Sequence, residues 1–147
     1  MEQGLLHLHN LLRWIILLFL LICLFQAFAK NKGLAKTSLF LLIAAHITLV
    51  IGIYQWISSS KAGLVILKNM DYNFGAVMKD SFARFWVVEH FVAMFIAIVL
   101  ITIGRGKAKR LQYKPAAWLF VFALLFILAC VPWPFRELVA RPWFPGM

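Results

Sequence analysis

The residues able to do chemistry are few, and the four histidines come first. His46 lies inside SLFLLIAAHITLVIGIYQW and His90 inside RFWVVEHFVAMFIAIVLITIG, each alone in an apolar run of helix length. An imidazole in hydrocarbon has to find a hydrogen-bond partner, a charge or a metal, because burying it unpaired is costly. Two neutral imidazoles from different helices, matched in depth, are what non-covalent haem b requires of a protein: one nitrogen on each side of a flat macrocycle, with apolar helix faces around its edge. His46 and His90 therefore read first as axial ligands. Structural hydrogen bonding, a proton relay and binding of another metal are the competing readings.

Depth is the geometric condition. At ~1.5 Å per residue His46 lies roughly 12–15 Å below a boundary at Tyr54 to Trp56. His90 lies roughly 13 Å deep if its helix starts near Ser81, and only about 8 Å deep if the boundary falls at Phe85. Small residues suit a flat ligand between these helices: Ala44, Ala45 and Gly52 on the second, Ala93 and Ala97 on the third. The same residues would also let two helices simply pack closely.

A second group sits at the rim. His9 and Arg13 are four apart and share a helix face, whereas His7 points elsewhere. Arg13 or Arg84 suits a haem propionate, since a guanidinium matches a carboxylate bidentately, although both arginines could equally reach out to lipid headgroups. Glu89 beside His90 is expensive in a membrane unless it pairs, and pairing with Arg13 or orienting a ligand histidine is expected. His7-Leu8-His9 could hold copper or zinc at the surface, but two histidines underfill either coordination shell, and interfacial capping competes. His9 is the best ligand candidate for a second haem.

These side chains are positioned by a membrane protein. Apolar residues make up 64% of the chain and charged residues 14%, and the apolar ones form four blocks at about residues 8–29, 38–57, 83–104 and 116–133, each near the ~20 residues a bilayer core demands. The expected fold is a single all-α domain over residues 1–147, an integral membrane four-helix bundle. No room remains for a separate soluble catalytic domain. Ala27-Phe28-Ala29 resembles a cleavage site, but Glu2 and the lack of Lys or Arg before Arg13 argue for a retained helix rather than a signal peptide. Ser58 to Gly63 opens a connection whose later apolar residues predict a short interfacial helix before the third span. Val131-Pro132-Trp133-Pro134 must end the fourth helix.

The net charge of +10 belongs to topology, not to nucleic acid, because Lys and Arg cluster where helices end and form no stripe interleaved with exposed aromatics. Lys30, Lys32 and Lys36 crowd the first connection; Arg105, Lys107, Lys109, Arg110 and Lys114 crowd the third. The positive-inside bias places both segments in the cytoplasm and both termini on the other side of the membrane. Cys23 and Cys130 fall at different depths and outside any haem-attachment motif, so they read as apolar filler. Gly104-Arg105-Gly106-Lys107 lacks the spacing of a phosphate-binding loop, and no Ser-His-Asp set or paired carboxylates support a hydrolase.

Several segments together resemble a known group: His7-Leu-His9-Asn-Leu-Leu-Arg13-Trp, Ala45-His46-Ile-Thr-Leu-Val-Ile-Gly52, Gly75-Ala-Val-Met-Lys79-Asp80, Arg84-Phe-Trp-Val-Val-Glu89-His90 and Pro132-Trp133-Pro134-Phe135-Arg136. Over nearly the whole chain the sequence resembles the small four-helix membrane proteins of Bacteroidetes-type bacteria labelled cytochrome b. In architecture it is similar to broader four-helix cytochrome b and copper-resistance membrane families. The resemblance implies haem b binding and an electron-transfer role. It points to His46 and His90 as ligands, with His9, Arg13 and Glu89 in second rank.

The expected function is electron transfer through haem b between a membrane donor, a quinone or a redox-partner protein, and an acceptor. A haem-free copper or other metal-handling protein, entered through His7 and His9, is one alternative. A structural subunit of a larger membrane complex is another. A bundle this small exposes much of each helix, which points to lipid, a second copy or a larger complex around it.

Overall fold

The computed structural model describes residues 2–144. The chain forms helices α1 (Glu2–Phe28), α2 (Leu34–Ser58), α3 (Leu64–Asn69), α4 (Phe74–Lys79), α5 (Ser81–Arg84), a π-helical turn (Phe85–Glu89), α6 (His90–Lys109) and α7 (Tyr113–Cys130), with no strand among the described residues. Four segments are long and apolar enough to cross a membrane: Glu2–Phe28, Leu34–Ser58, Ser81–Lys109 and Tyr113–Cys130. The first three outrun the apolar blocks because a helix continues past the hydrophobic boundary until a turn or a proline stops it. Short turns join α1 to α2 and α6 to α7. Lys30 and Leu111 take positive φ there (51° and 54°), and the Asn31 side chain accepts from Gly33 N at 2.7 Å.

The four long helices form a ring in the order α1, α2, α6, α7, each packed chiefly on its two neighbours. α1 and α6 therefore face one another across the bundle axis. The main core runs from Leu20, Leu34 and Leu41 to Ile101, Ala116 and Phe120, all fully buried. Leu18, Phe25, Val50, Phe95 and Leu125 are exposed on the outside, as lipid-facing positions of a membrane bundle would be.

The connection from α2 to the third span contains α3 and α4. Asn73 caps α4 by accepting from Ala76 N (3.0 Å) and Asp80 caps α5 by accepting from Ala83 N (2.7 Å), which satisfies otherwise orphaned donors. A small second core of Val77, Ala83 and Val87, backed by Trp56 and Ile66, fixes this connection to the bundle. α7 stops at Cys130, before Pro132 and Pro134.

Candidate functional site

Past Cys130 the tail folds back across the start of α1. Asn10 Nδ2 donates to Pro142 O (3.1 Å), Arg13 Nη2 to Trp143 O (2.9 Å) and Trp14 Nε1 to the same carbonyl (2.7 Å). Trp14, Trp133 and Trp143 cluster around these bonds with ring centroids about 6 Å apart. The Arg13 guanidinium lies over Trp14 and Trp133 at 5.2 and 5.5 Å. α1, α2, α6, α7 and the tail then line a half-open cavity of about 190 Å³.

His9 and Arg13 from α1, His90 from α6, Trp56 from α2 and Arg141 from the tail line its polar part. Its floor is apolar and reaches Ala45, Ala97 and Ile101. From His90 to Ile101 it runs along roughly 16 Å of helix. Gly52 makes room for the His9 ring: a Cβ there would lie 3.3 Å from His9 Cε1.

His90 enters the cavity directly after the π turn. Such turns recur at functional sites because one extra residue re-aims the side chains beyond it. Trp56 Nε1 reaches across from α2 and donates to the Val87 carbonyl within the turn (3.2 Å). The His90 ring contacts Phe85 and Trp86, both with centroids at 5.8 Å, and its Nδ1 is 2.8 Å from the Cys130 carbonyl. A carbonyl can only accept, so Nδ1 carries the hydrogen and the neutral ring keeps its lone pair on Nε2.

Polar capacity in the cavity is left over. His9 Nδ1, Asn10 Oδ1 and Arg13 Nε are buried with no hydrogen-bond partner among the described residues. The ion pair present among those residues joins Arg84 and Glu89, so neither Arg13 nor Arg141 has a carboxylate partner there. Arg141 stacks over Trp86 at 4.9 Å, and burial lowers its pKa from the ordinary arginine value. An uncompensated, partly desolvated cation of this kind attracts an anion.

Three sequence expectations are corrected here. His46 does not meet His90: it is exposed on α2, outside the cavity, with Nδ1 2.9 Å from its own helix's Leu42 carbonyl. The packed face of α2 runs through Leu34, Ser38, Leu41 and Ala45, and at 3.6 residues per turn the next position is rotated ~100° away. Glu89 pairs with Arg84 (2.7 Å), not with Arg13 or a histidine. Arg84 also donates to Met78 O (2.9 Å) and does not line the cavity, so it is not placed for a propionate in it. The structure instead brings together His9 and His90 from opposite helices, with Arg13. His7 is exposed at the cavity's edge. Cys23 is buried and Cys130 half-buried, both as free thiols.

Sequence reasoning missed Trp56 and Arg141. The first carries a weak signal, an indole one turn from Gly52 on the same helix face. The second carries none, because its position depends on the path of the tail. Among the described residues no three His, Cys, Asp or Glu side chains come together as a metal-holding group. No protein-family model, no curated protein and no solved structure matches this chain.

Proposed function

We propose that this chain is a multi-pass membrane protein of electron-transfer type that binds haem b in the cavity between α1 and α6. His9 and His90 would hold the iron, and Arg13 and Arg141 would neutralise the two propionates. The observation that carries the reading is the donor set: two imidazoles from helices on opposite sides of the bundle axis and two arginines without carboxylate partners among the described residues, lining one cavity. A bare metal ion is a poorer fit, since two histidines underfill its shell and two guanidinium groups repel it. A porphyrin needs only two ligands from the protein and brings its own carboxylates. Bound haem b would supply one-electron oxidation and reduction. The chain's own residues fix the tautomer of His90, wall the site with Trp56 and Trp86 and close its end with the tail.

By the positive-inside bias, the basic turns at Lys30–Lys36 and Arg105–Lys114 lie in the cytoplasm of a bacterium, and the site opens toward the other face of its inner membrane. Electrons would then pass between a membrane donor and an acceptor outside.

The test is an absorption spectrum of protein purified from haem-replete cells, with His9→Gln, His90→Gln and His46→Gln alongside. A Soret band lost in the first two variants and kept in the third is expected. Absence of the band in wild type, or its loss only with His46→Gln, overturns the reading.

The cavity volume favours a second reading. About 190 Å³ exceeds the ~150 Å³ void that admits benzene but falls short of the ~300–1,000 Å³ of larger ligand sites. A quinone head group fits that space, with its carbonyls accepting from Arg13 or His9 and its tail along the apolar floor. Saturable binding of a short-chain quinone to haem-free protein, abolished by Arg13→Gln, would decide for it.

A further inference from the structure

Phe85 and His90 are five positions apart, yet their rings meet, with centroids 5.8 Å apart. In an α-helix that interval turns through about 500° and leaves the later side chain about 140° round from the earlier one. The π turn removes the offset. The His90 N–H bonds to the Phe85 carbonyl, five residues back, so Phe85 lies one turn below His90 and Trp86 flanks it at 5.8 Å. Such turns are rare within helices, and this one is braced from outside. Trp56 Nε1 on α2 donates to the Val87 carbonyl inside the turn (3.2 Å), and the Trp56 ring packs on Phe91 (5.6 Å). One indole thus holds the third span on both sides of His90. A donor inserted from another helix draws a carbonyl away from its own ladder and favours the wider spacing. Trp56 is itself pinned. Gly63, at φ 66°, passes so close to it that a Cβ there would collide with the Trp56 carbonyl, and its ring packs on the second core of Val77, Ala83 and Val87.

We infer that Trp56 is a positioning residue for His90: its indole N–H holds the π turn at Val87, and the turn aims the imidazole into the cavity and at the Cys130 carbonyl. With an unbroken α-helix through Phe85–Glu89, the segments before and after His90 would be rotated against one another by ~100°, the angle of one residue. Either Phe85, buried beneath Arg136 (4.8 Å), would roll out of its place, or His90 would swing off the Cys130 carbonyl that it reaches at 2.8 Å. Packing alone would need the Trp56 ring but not its N–H, because a buried indole N–H commonly finds some acceptor. Removing the N–H while keeping the ring separates the two. That His90 is a haem ligand rests on the proposal above, whereas its direction does not.

The experiment is nitrogen-15 NMR of histidine-labelled, full-length protein from haem-limited cells in detergent, with His90 assigned by its loss in His90→Gln. Wild type should show the single Nδ1–H tautomer that a bond to the Cys130 carbonyl requires. Replacing Trp56 by benzothienylalanine, which keeps the shape of the ring and lacks the N–H, should convert that signal to a mixture of tautomers, and Trp56→Phe should do the same. Deleting Val88 removes the residue that the π turn accommodates and puts Phe85 four positions before His90, one ordinary helical turn away. In that background Trp56→Phe should leave the His90 signal where the deletion alone puts it. A mixture of tautomers in wild type, no change with benzothienylalanine, or the same change with Trp56→Phe in the Val88-deleted protein overturns the inference. The benzothienylalanine protein decides by itself if the deletion does not assemble. None of these outcomes depends on haem. Where the protein does bind haem, the same isosteric variant should also weaken its retention about tenfold, read by transfer to an external acceptor protein.

Discussion

The two ends of the bundle are built on opposite plans. At the basic end, near the α1–α2 and α6–α7 turns, helices close on one another: Leu34, Ala108, Ala116 and Phe120 are fully buried, and a Cβ on Gly104 would lie 2.7 Å from the Phe120 ring. At the other end α1 and α6 leave a cavity, with histidines, arginines and aromatic rings around its polar part above an apolar floor. All five acidic residues lie toward that second end or in its connections and tail. Among the described residues, unpartnered buried polar atoms occur at both ends, Gln26 Oε1 and Arg105 Nη1 at the first and His9 Nδ1, Asn10 Oδ1 and Arg13 Nε at the second, and the second group borders the cavity. Close packing gives one end its stability; the other end leaves space and uncompensated charge, which is how a ligand site differs from a core.

The contrast can be broken most sharply at the histidines. His9→Ala and His90→Ala should each abolish bound haem while His46→Ala retains it, read as haem per protein after purification, with circular dichroism confirming an intact helical bundle. Equal loss in all three would erase the distinction between an interior and an outward-facing imidazole.

At the closed end Gly104→Ala forces the Phe120 ring to move. Overpacking of this kind costs about 1–3 kcal/mol, so thermal unfolding in detergent should shift down while the spectrum of any bound cofactor stays as in wild type. A changed spectrum would mean that the two ends are mechanically coupled.

Arg141→Gln should weaken haem binding about tenfold, ~1.4 kcal/mol, measured by transfer of haem to an external acceptor protein. The effect should vanish with the haem dimethyl ester, which has no carboxylates to recognise. A loss that persists with the ester would assign Arg141 to holding the tail.

The smallest effect belongs to Arg84 and Glu89, whose side chains are 34% and 38% exposed. Replacing both by Gln should cost less than about 1 kcal/mol of stability and leave ligand binding unchanged. A large effect on the cofactor would return Glu89 to the site from which the structure removes it.

Much of the architecture was legible in the chain. Long apolar runs, basic turns and the Pro132-Trp133-Pro134 stop announce four helices and roughly where they end. Spacing also told truly that His9 and Arg13 share a face. The partner of His90 was not legible. His46 and His90 sit in equally apolar sequence at similar counted depths, and only the rotation of α2 about its own axis turns one of them outward. That rotation is set by which face of α2 meets α1 and α6, a property of three helices together.

The sequence by itself determined the elements and their chemistry, because hydrophobic run length, turn residues and prolines act locally. Tertiary structure alone decided that α1 and α6 face each other, that His9 and not His46 shares a cavity with His90, and that Arg141 returns over the site. Those outcomes depend on packing among segments far apart in the chain, and a one-residue change in the facing of a helix, ~100°, is enough to reverse them.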